Sequence, residues 1–340
     1  MHMREIEQPN TAHHLSIVIP MYNEEENVAP MLERIHECLS DYQHPWELVL
    51  VNDGSTDTTE KRMVELANDH GSHIRIISLQ RNFGQTAAMQ AGIDSARGDV
   101  IATLDGDLQN DPTDIPRMVK RLFDEDLDLV TGWRASRQDN LLRKIPSFIA
   151  NRLIGRITGV VIHDYGCTLK VYRAQIIKGV RLYGEMHRFI PAWVAATTSP
   201  ARIKEEVVNH HARQYGESKY GISRTFRVIL DLLSVYFFMR FQSRPSHFFG
   251  RIGLIFGSLG TLGLLYLAGV KIFWGEDIGT RPLLFICILF IVVSVQFVTT
   301  GVLSEIMTRT YFASSDQTAY IIRNVDEVNA ASDEDWKQAA

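Results

Sequence analysis

The sequence predicts an α/β protein in which a mostly parallel sheet is followed by two membrane-spanning helices. The first observation is that four apolar segments, each short enough for a buried strand, alternate with segments of helical pattern. The second is that two uncharged stretches, residues 252–270 and 282–304, stand close together near the C-terminal end of a polar chain. Alternating strand and helix indicate parallel strands that are joined by right-handed crossovers and covered on both faces.

The elements of the α/β part follow in chain order. The predicted strands are residues 15–19, 47–51, 74–79 and 100–104, and the predicted helices between them are residues 24–39, 58–68 and 85–96. A further helix and strand are expected over residues 112–124 and 127–131. In open sheets of this kind, ligands bind beyond the carboxyl ends of the strands. Segments rich in Asn, Asp, Gly and Ser follow these strands, so we expect one shared site there, although each segment alone could be a turn.

The two uncharged stretches are long enough to cross a bilayer. At about 1.5 Å per residue, such helices span ~28 and ~34 Å, compared with ~30 Å for the apolar part of a bilayer. The alternative is a pair of buried core helices. Arginines precede the first stretch and follow the second, so the positive-inside rule places both termini and the large N-terminal part in the cytoplasm. The first fourteen residues lack an apolar stretch, so we expect no signal peptide.

These features divide the chain into five segments. They are a polar tail (1–14), an α/β domain (15–225), an amphipathic juxtamembrane helix (226–247), a two-helix membrane region (248–308) and a cytoplasmic C-terminal segment (309–340). Residues 136–156 interleave cations with apolar side chains, which suits a membrane interface or a packed helix with a solvated basic face. Residues 311–325 could form a short strand pair. A homo-oligomer through the membrane helices and the C-terminal segment is a further expectation.

The composition excludes several classes of protein. The net charge of −5 provides no basic field for nucleic acid. Three distant cysteines form no CxxC pair, which argues against a zinc site or disulfide framework and fits a reducing compartment. No GxGxxG follows the first strand and no GxxxxGK[ST] occurs, so any nucleotide phosphates must be held in another way.

Two carboxylates stand one residue apart where the fourth predicted strand ends, at Asp105-Gly106-Asp107. On a strand they would share one face, because side chains alternate with a period of two. Two adjacent like charges need a cation between them or a water-filled exit, and Mg²⁺ or Mn²⁺ prefers oxygen ligands together with substrate phosphates. Gln109 continues the same alternation and adds a neutral oxygen. The segment therefore predicts a metal-diphosphate site, although the DxD pattern alone is common.

At this point the sequence resembles a known family. The segments Ile17-Val18-Ile19-Pro20-Met21-Tyr22-Asn23-Glu24, Val51-Asn52-Asp53-Gly54-Ser55 and Asp105-Gly106-Asp107-Leu108-Gln109 are similar to inverting family 2 glycosyltransferases, which have a GT-A, Rossmann-like fold that binds nucleotide-sugars. The segments Asn82-Phe83-Gly84-Gln85, Asp164-Tyr165-Gly166-Cys167 and Gly216-Glu217-Ser218-Lys219-Tyr220 resemble the polyprenyl-phosphate branch of that family. This branch includes dolichol-phosphate mannose synthases, undecaprenyl-phosphate glucosyltransferases of O-antigen modification and the aminoarabinose-lipid transferase. The resemblance covers about residues 15–225.

The resemblance implies a role for each matching residue. The donor-binding set is Pro20, Tyr22, Glu24, Asp53, Asn82, Gly84 and Asp105. The implied catalytic residues are Asp107, Arg134 and Asp164, and the implied metal ligands are Asp105, Asp107 and Gln109. Arg213 and Lys219 lie in a segment that in relatives closes over the phosphates. The cations expected to meet the acceptor phosphate are these two together with Arg137 and Arg143 of the basic, apolar stretch 136–156. Attraction to the membrane surface is the alternative for Arg213 and Lys219, and a local turn is the alternative for Asp164.

The implied activity is inverting transfer of a sugar from a nucleotide-sugar to polyprenyl phosphate, with Mg²⁺ or Mn²⁺, at the cytoplasmic face of the inner membrane. We expect UDP-glucose as donor and undecaprenyl phosphate as acceptor, with UDP-formamido-arabinose and GDP-mannose as alternative donors. A processive polysaccharide synthase is disfavoured because no Gln-x-x-Arg-Trp motif occurs. A membrane scaffold that binds nucleotide-sugar without catalysis is the alternative from another class.

Overall fold

The sheet is the centre of the N-terminal part of the protein. This computed structural model describes residues 12–135, 152, 154–156, 158–211, 236–237, 241 and 245–314. The strands are β1 (Leu15–Met21), β2 (Trp46–Asn52), β3 (Ile74–Ser78), β4 (Val100–Thr103), β5 (Leu129–Trp133), β6 (Lys170–Arg173) and β7 (Ile203–Val207). The helices are α1 (Val28–Leu39), α2 (Thr59–His70), α3 (Gln85–Ser95), α4 (Ile115–Asp124), α5 (Ala174–Ile177), α6 (Ile190–Val194), α7 (Pro245–Trp274) and α8 (Pro282–Ser314).

The seven strands form one sheet in the order β3-β2-β1-β4-β6-β5-β7. Strand β6 is antiparallel to both of its neighbours, β4 and β5, whereas every other pairing is parallel. The mostly parallel sheet expected from the sequence is therefore confirmed, and β1 to β4 each overlap a predicted strand. Strands β6 and β7 were not predicted. Because β6 lies between β4 and β5, it brings the chain that precedes it to the carboxyl ends of those two strands.

Both faces of the sheet are buried, as the apolar strands predict. All seven residues of β1 are buried, and alternate residues belong to two separate clusters. Ile17 and Ile19 pack with α1 and α4 on one face, whereas Val18 packs with α3 on the other. Each such aliphatic side chain contributes about 1.5–3 kcal/mol when it is fully buried. The buried strands therefore form a rigid support for the polar residues at their carboxyl ends.

Helices α7 and α8 pack against each other as an antiparallel hairpin. Their candidate spans have mean hydropathies of 1.8 and 2.6, and only 17% and 6% of their most apolar windows are buried. That exposure rules out core helices of the α/β domain. Glycines of α7 allow the close approach: a Cβ added at Gly263 would lie 2.3 Å from the sulfur of Cys287. The hairpin is long and apolar enough to cross a membrane.

One expectation for the C-terminal segment is wrong. The strand pair predicted over residues 311–325 is not formed at its start, because α8 continues as a helix to Ser314. Residues 315–325 lie outside the described residues. The division of the chain into five segments stays a prediction.

Candidate active site

Polar residues gather at the carboxyl ends of β1, β2, β4 and β5. Strands β1, β2 and β4 are direct neighbours in the sheet, so the segments that follow them open on the same edge. The loop that leads into β6 arrives at this edge from the opposite direction, because β6 is antiparallel. The candidate site is built from these loops.

Asp105 is held by two side chains from separate elements. One carboxylate oxygen accepts a hydrogen bond from Gln85 Nε2 at 2.6 Å, and the other accepts from Thr168 Oγ1 at 2.5 Å. Gln85 is the first residue of α3, and Thr168 lies in the loop before β6. Burial and the nearby charge of Asp107 raise the pKa of Asp105 to about 6, although the bond from Thr168 acts in the opposite direction. The two hydrogen bonds therefore fix the position of the carboxylate, while burial and the charge of Asp107 destabilise its ionised form.

Asp107 lies beside Asp105 in a turn rather than on a strand. Strand β4 ends at Thr103, and Leu108 has a φ of +59°, so the strand alternation assumed for Asp105, Asp107 and Gln109 is wrong. Asp107 Oδ1 accepts a hydrogen bond from the backbone N–H of Gln109 at 3.2 Å. Asp107 is also buried, so the turn still places two carboxylates close together. The proximity was predicted correctly, but for a different geometric reason.

The two carboxylates of Asp105 and Asp107 fit a cation that takes further ligands besides them. Within the part of the chain that the structure describes, no group of three or more His, Cys, Asp or Glu side chains could hold a metal ion. Asp105 is half-buried and Asp107 is buried, and their carboxylates repel each other; a divalent cation would relieve that repulsion. Mg²⁺ and Mn²⁺ are commonly bound by one or two carboxylates together with water and substrate phosphates.

Arg134 and Asp164 form a bidentate ion pair next to this turn. Arg134 Nε and Nη2 donate to the two oxygens of Asp164 at 2.7 and 2.9 Å. Arg134 directly follows β5, whereas Asp164 lies in the loop before β6, so the pair joins two parts of the sheet edge. Burial alone would lower the pKa of Arg134, but the hydrogen bonds and charge of Asp164 raise it. Asp164 thus makes a tertiary contact in addition to any local turn.

Two side chains that the sequence analysis missed donate hydrogen bonds to the backbone of the loop that carries Asp164 and Thr168. The buried ammonium group of Lys170 donates to the carbonyl oxygen of Cys167. Thr103 Oγ1 donates to the carbonyl oxygen of Thr168 at 3.0 Å. Burial lowers the pKa of Lys170, although the nearby acidic groups oppose this. A lysine within an otherwise apolar run was the signal that could have drawn attention to this position.

Asp53, predicted to line the donor pocket, braces two loops. Its carboxylate oxygens accept from the backbone N–H groups of Phe83 and Gly84 at 2.8 and 2.9 Å. Gly54 follows with a φ of +64°, and a Cβ there would lie 2.3 Å from the carbonyl carbon of Arg81. The loops after β2 and β3 therefore touch, and Asp53 holds Asn82 and Gly84 in position at the edge of the site.

The loop after β1 is fixed by the loop after β2. Asn23, with a φ of +52°, accepts from the backbone N–H of Thr56 at 2.8 Å. The backbone N–H of Glu24 donates to Thr59 Oγ1 at 2.9 Å. These contacts place Pro20, Tyr22 and Glu24 at the same sheet edge as Asp53. Their roles in donor binding stay predictions.

Asp111 is the centre of a polar cluster beside the turn of Asp105 and Asp107. The backbone N–H of His211 donates to the carbonyl oxygen of Gln109 at 2.8 Å, and its Nε2 lies 3.0 Å from Asp111. Arg34 Nη2 also donates to Asp111, at 3.3 Å. Burial would raise the pKa of Asp111, but the bonds from His211 and Thr113 and the charge of Arg34 outweigh it and lower the pKa to about 2.

Arg137, Arg143, Arg213 and Lys219 lie outside the described residues, as do most of residues 136–156 and 226–247. The structure thus brings together the predicted carboxylates, Arg134 and the donor-side loops, and it adds Gln85, Thr168 and Lys170 to them.

The chain is similar to several known proteins. Residues 16–181 match the family described as Glycosyl transferase family 2. The chain is 57% identical over 324 residues to the dodecaprenyl-phosphate galacturonate synthase of Rhizobium johnstonii, covering 95% of this chain and 96% of that protein. It is 36% identical over 319 residues to the undecaprenyl-phosphate 4-deoxy-4-formamido-L-arabinose transferase of Pectobacterium atrosepticum, covering 94% of each chain.

Solved structures share the fold. The chain superposes with a TM-score of 0.52 on glucosyl-3-phosphoglycerate synthase from Mycobacterium tuberculosis, a structure that contains Mn²⁺, uridine diphosphate and glucosyl-3-phosphoglycerate. The two are 20% identical, and the superposition covers 66% of this chain and 80% of that one. At this identity the likeness shows the fold alone.

Proposed function

Because the chain belongs to the polyprenyl-phosphate branch of glycosyltransferase family 2, we propose that it transfers galacturonic acid from a nucleotide donor to a polyprenyl phosphate. The observation that carries the choice of sugar is the 57% identity, over 95% of the chain, to a dodecaprenyl-phosphate galacturonate synthase. We propose UDP as the nucleotide and the cytoplasmic face of the inner membrane as the place of reaction.

This choice of sugar differs from the donor expected from sequence. UDP-glucose was expected, and neither of the two polyprenyl-phosphate relatives reported above is named for glucose. Formamido-arabinose is the second candidate, since relatives at 36% identity are named for it. UDP-glucose therefore stays a prediction without support from these relatives.

The reaction needs little help from a general base. The second pKa of a phosphate monoester is near 6, so the lipid phosphate is largely a dianion at neutral pH. One of its oxygens forms the new bond to the anomeric carbon, while the bond from that carbon to the nucleoside diphosphate breaks and its electron pair leaves with the diphosphate. A single displacement of this kind inverts the anomeric centre and requires no covalent enzyme intermediate.

The described residues divide this task among them. Asp105 and Asp107 would hold a divalent cation, which when bound would offset the charge of the leaving diphosphate. Gln85 and Thr168 fix Asp105 in position. Arg134 acts on Asp105 through its charge, and its guanidinium group is of the kind that binds phosphate oxygens. Asp164 orients the guanidinium group of Arg134, because both oxygens of Asp164 accept hydrogen bonds from it.

A lipid acceptor explains the hairpin of α7 and α8. Both helices expose long apolar side chains, and both are long enough to cross a bilayer. A chain anchored in this way would keep its α/β domain at the surface from which a polyprenyl phosphate presents its head group. The orientation, with both termini cytoplasmic, stays a proposal.

The test is a panel of donors offered to the purified full-length chain in detergent. UDP-galacturonate, UDP-glucose, UDP-formamido-arabinose and GDP-mannose are each incubated with dodecaprenyl or undecaprenyl phosphate and Mn²⁺ or Mg²⁺, and the lipid product is quantified by mass spectrometry. We expect kcat/KM for UDP-galacturonate to exceed that for each other donor by at least about tenfold. A higher value for another donor would refute the choice of sugar, and donor binding without transfer would favour the scaffold alternative.

A further inference from the structure

The turn after β4 combines two features that destabilise it in the absence of a cation. Leu108 has a φ of +59°, in the left-handed region that disfavours residues with a side chain. Burial and the charge of Asp107 both raise the pKa of Asp105, so the ionised pair is also unfavourable. Strained backbone of this kind persists only where the surrounding structure holds it. The contacts that hold this turn therefore keep its two carboxylates in place for a cation.

A second segment of the chain lies alongside the end of this turn. The backbone N–H of Gln109 donates to Asp107 Oδ1 at 3.2 Å, and the carbonyl oxygen of Gln109 accepts from the backbone N–H of His211 at 2.8 Å. The next residue, Asn110, forms an antiparallel bridge with His210. A continuous chain of hydrogen bonds therefore leads from the backbone of His211 to the carboxylate of Asp107.

The side chain of His211 joins the two segments a second time. Its Nε2 lies 3.0 Å from Oδ2 of Asp111, a residue that is only 6% exposed. An ionised carboxylate can only accept, so the imidazole donates in this contact. Asp111 also accepts from the backbone N–H of Thr113 and from Arg34 Nη2 on α1, but those donors belong to other parts of the chain. The contact from His211 is therefore the one by which Asp111 holds the second segment.

We propose that His211 is a positioning residue for the metal site, whose hydrogen bond to Asp111 keeps the two segments in register and thereby fixes Asp107 for the cation. His211 acts on Asp107 through Gln109 and Asp111. Residues that orient metal ligands in this way commonly change metal affinity by about tenfold to a hundredfold when they are removed. The inference rests on the divalent cation of the function proposed above.

The experiment measures binding of Mn²⁺ to the full-length chain in detergent, in the presence of UDP. Electron paramagnetic resonance follows the loss of the signal of free Mn²⁺, with correction for a sample that contains UDP alone. We expect the Kd for Mn²⁺ to be roughly tenfold higher in His211→Ala than in wild type. His211→Gln, whose amide can still donate to Asp111, should stay within about threefold of wild type.

The matched control is Arg34→Gln. This change weakens another contact to Asp111, but it leaves the hydrogen bond between Asp111 and His211 in place. The side chains of Arg34 and His211 are similarly exposed, at 45% and 54%. We expect Arg34→Gln to bind Mn²⁺ as wild type does. Equal weakening in Arg34→Gln and His211→Ala, or wild-type affinity in His211→Ala, would overturn the inference.

Transfer measured against the concentration of Mn²⁺ separates positioning from a general loss of structure. We expect His211→Ala to need about tenfold more Mn²⁺ for half-maximal transfer of galacturonate and to approach the wild-type kcat at saturation. A lower kcat with an unchanged requirement for Mn²⁺ would contradict the positioning role.

Should His211→Ala fail to fold, His211→Asn takes its place in both measurements, because its amide is one carbon shorter than that of glutamine. Wild-type affinity for Mn²⁺ in that variant would overturn the inference in the same way. A wild-type chain that binds no Mn²⁺ in the presence of UDP would refute the metal site of the proposed function. That failure is distinct from a wild type that binds Mn²⁺ without dependence on His211.

Discussion

At the scale of single residues, the three carboxylates of the site differ in their partners. Asp105 accepts from two neutral side chains, Gln85 and Thr168, which position it without neutralising its charge. Asp164 is neutralised by the two-armed contact from Arg134. Asp107 shares the turn with Asp105 and adds to its charge. The DGD turn therefore brings two negative charges close together, at the place where a cation and a diphosphate would bind.

The carboxylate of Asp111 predicts a dependence of stability on pH. Its pKa is lowered in the folded state from an ordinary value of 3.8 to about 2, so its contribution is complete above about pH 4 and disappears as the pH falls through about 2. We expect Asp111→Asn to cost on the order of 1 kcal/mol at pH 7, after allowance for solvent screening, and the difference from wild type to shrink between pH 4 and pH 2. Thermal unfolding of both proteins across this pH range measures it.

The matched control for this prediction is Asp124→Asn. Asp124 is an exposed residue of α4 that pairs with Lys120 one turn away, and such surface pairs contribute little. A difference between wild type and Asp111→Asn that stays constant from pH 7 to pH 2 would show that the charge of Asp111 is not responsible.

At the scale of elements, the site depends on loops that brace one another. Asp53 ties the loop after β2 to the loop after β3, and Asn23 ties the loop after β1 to the loop after β2. Strand β6, inserted between β4 and β5, delivers Thr168 to Asp105 and Asp164 to Arg134. A change in one of these loops is therefore transmitted to the others.

Gly54 is the position where this bracing is most sensitive. A methyl group there would overlap the backbone of Arg81 and would sit on a residue with positive φ. Gly184 also has a positive φ, of +56°, but a Cβ there would have nothing within 4 Å. Both alanine variants carry the cost of the left-handed conformation, about 1 kcal/mol, whereas only Gly54→Ala adds the overlap.

We expect Gly54→Ala to be less stable than Gly184→Ala by at least about 2 kcal/mol, which corresponds to a difference in Tm of several degrees. Differential scanning fluorimetry of the two variants in the same detergent measures this. Equal Tm values would show that the loops after β2 and β3 do not touch as described.

The sequence predicted the elements whose residues are buried together. Strand β1 is apolar at nearly every position because both sheet faces are covered, and the same pattern revealed β2 and β4. Strand β6 has four residues, one of them a buried lysine, and β7 carries three charges in Ile203–Val207. Neither shows a strand period, because tertiary pairing rather than local pattern determines them.

The sequence predicted which residues lie at the sheet edge, but it did not predict most of the contacts between them. The turn of polar residues after each strand pointed to the sheet edge and to Asp105 and Asp107. Nothing in the sequence shows that Thr168, 63 positions further along the chain, donates to Asp105. The same holds for the ion pair between Arg134 and Asp164. Such contacts follow from the insertion of β6, which the sequence did not reveal.

At the scale of the whole molecule, a sheet edge that carries two adjacent carboxylates and an apolar hairpin occur in one chain. Helices α7 and α8 pack closely through glycines on one side and expose leucine, isoleucine, valine and phenylalanine on the others. The α/β part provides the charged site, and the hairpin provides an anchor of bilayer length. This combination is what a polar donor and a lipid acceptor require of a single enzyme.

Transfer of labelled galacturonate to dodecaprenyl phosphate, measured for wild type and Asp107→Ala across a titration of Mn²⁺, shows whether the turn after β4 holds a cation that the reaction needs. We predict that wild-type transfer requires the cation and stops when it is chelated. Asp107→Ala, with an unchanged Tm in the absence of metal, should be at least about a hundredfold slower at every concentration. Full activity in Asp107→Ala, or wild-type transfer that survives chelation, would contradict the account.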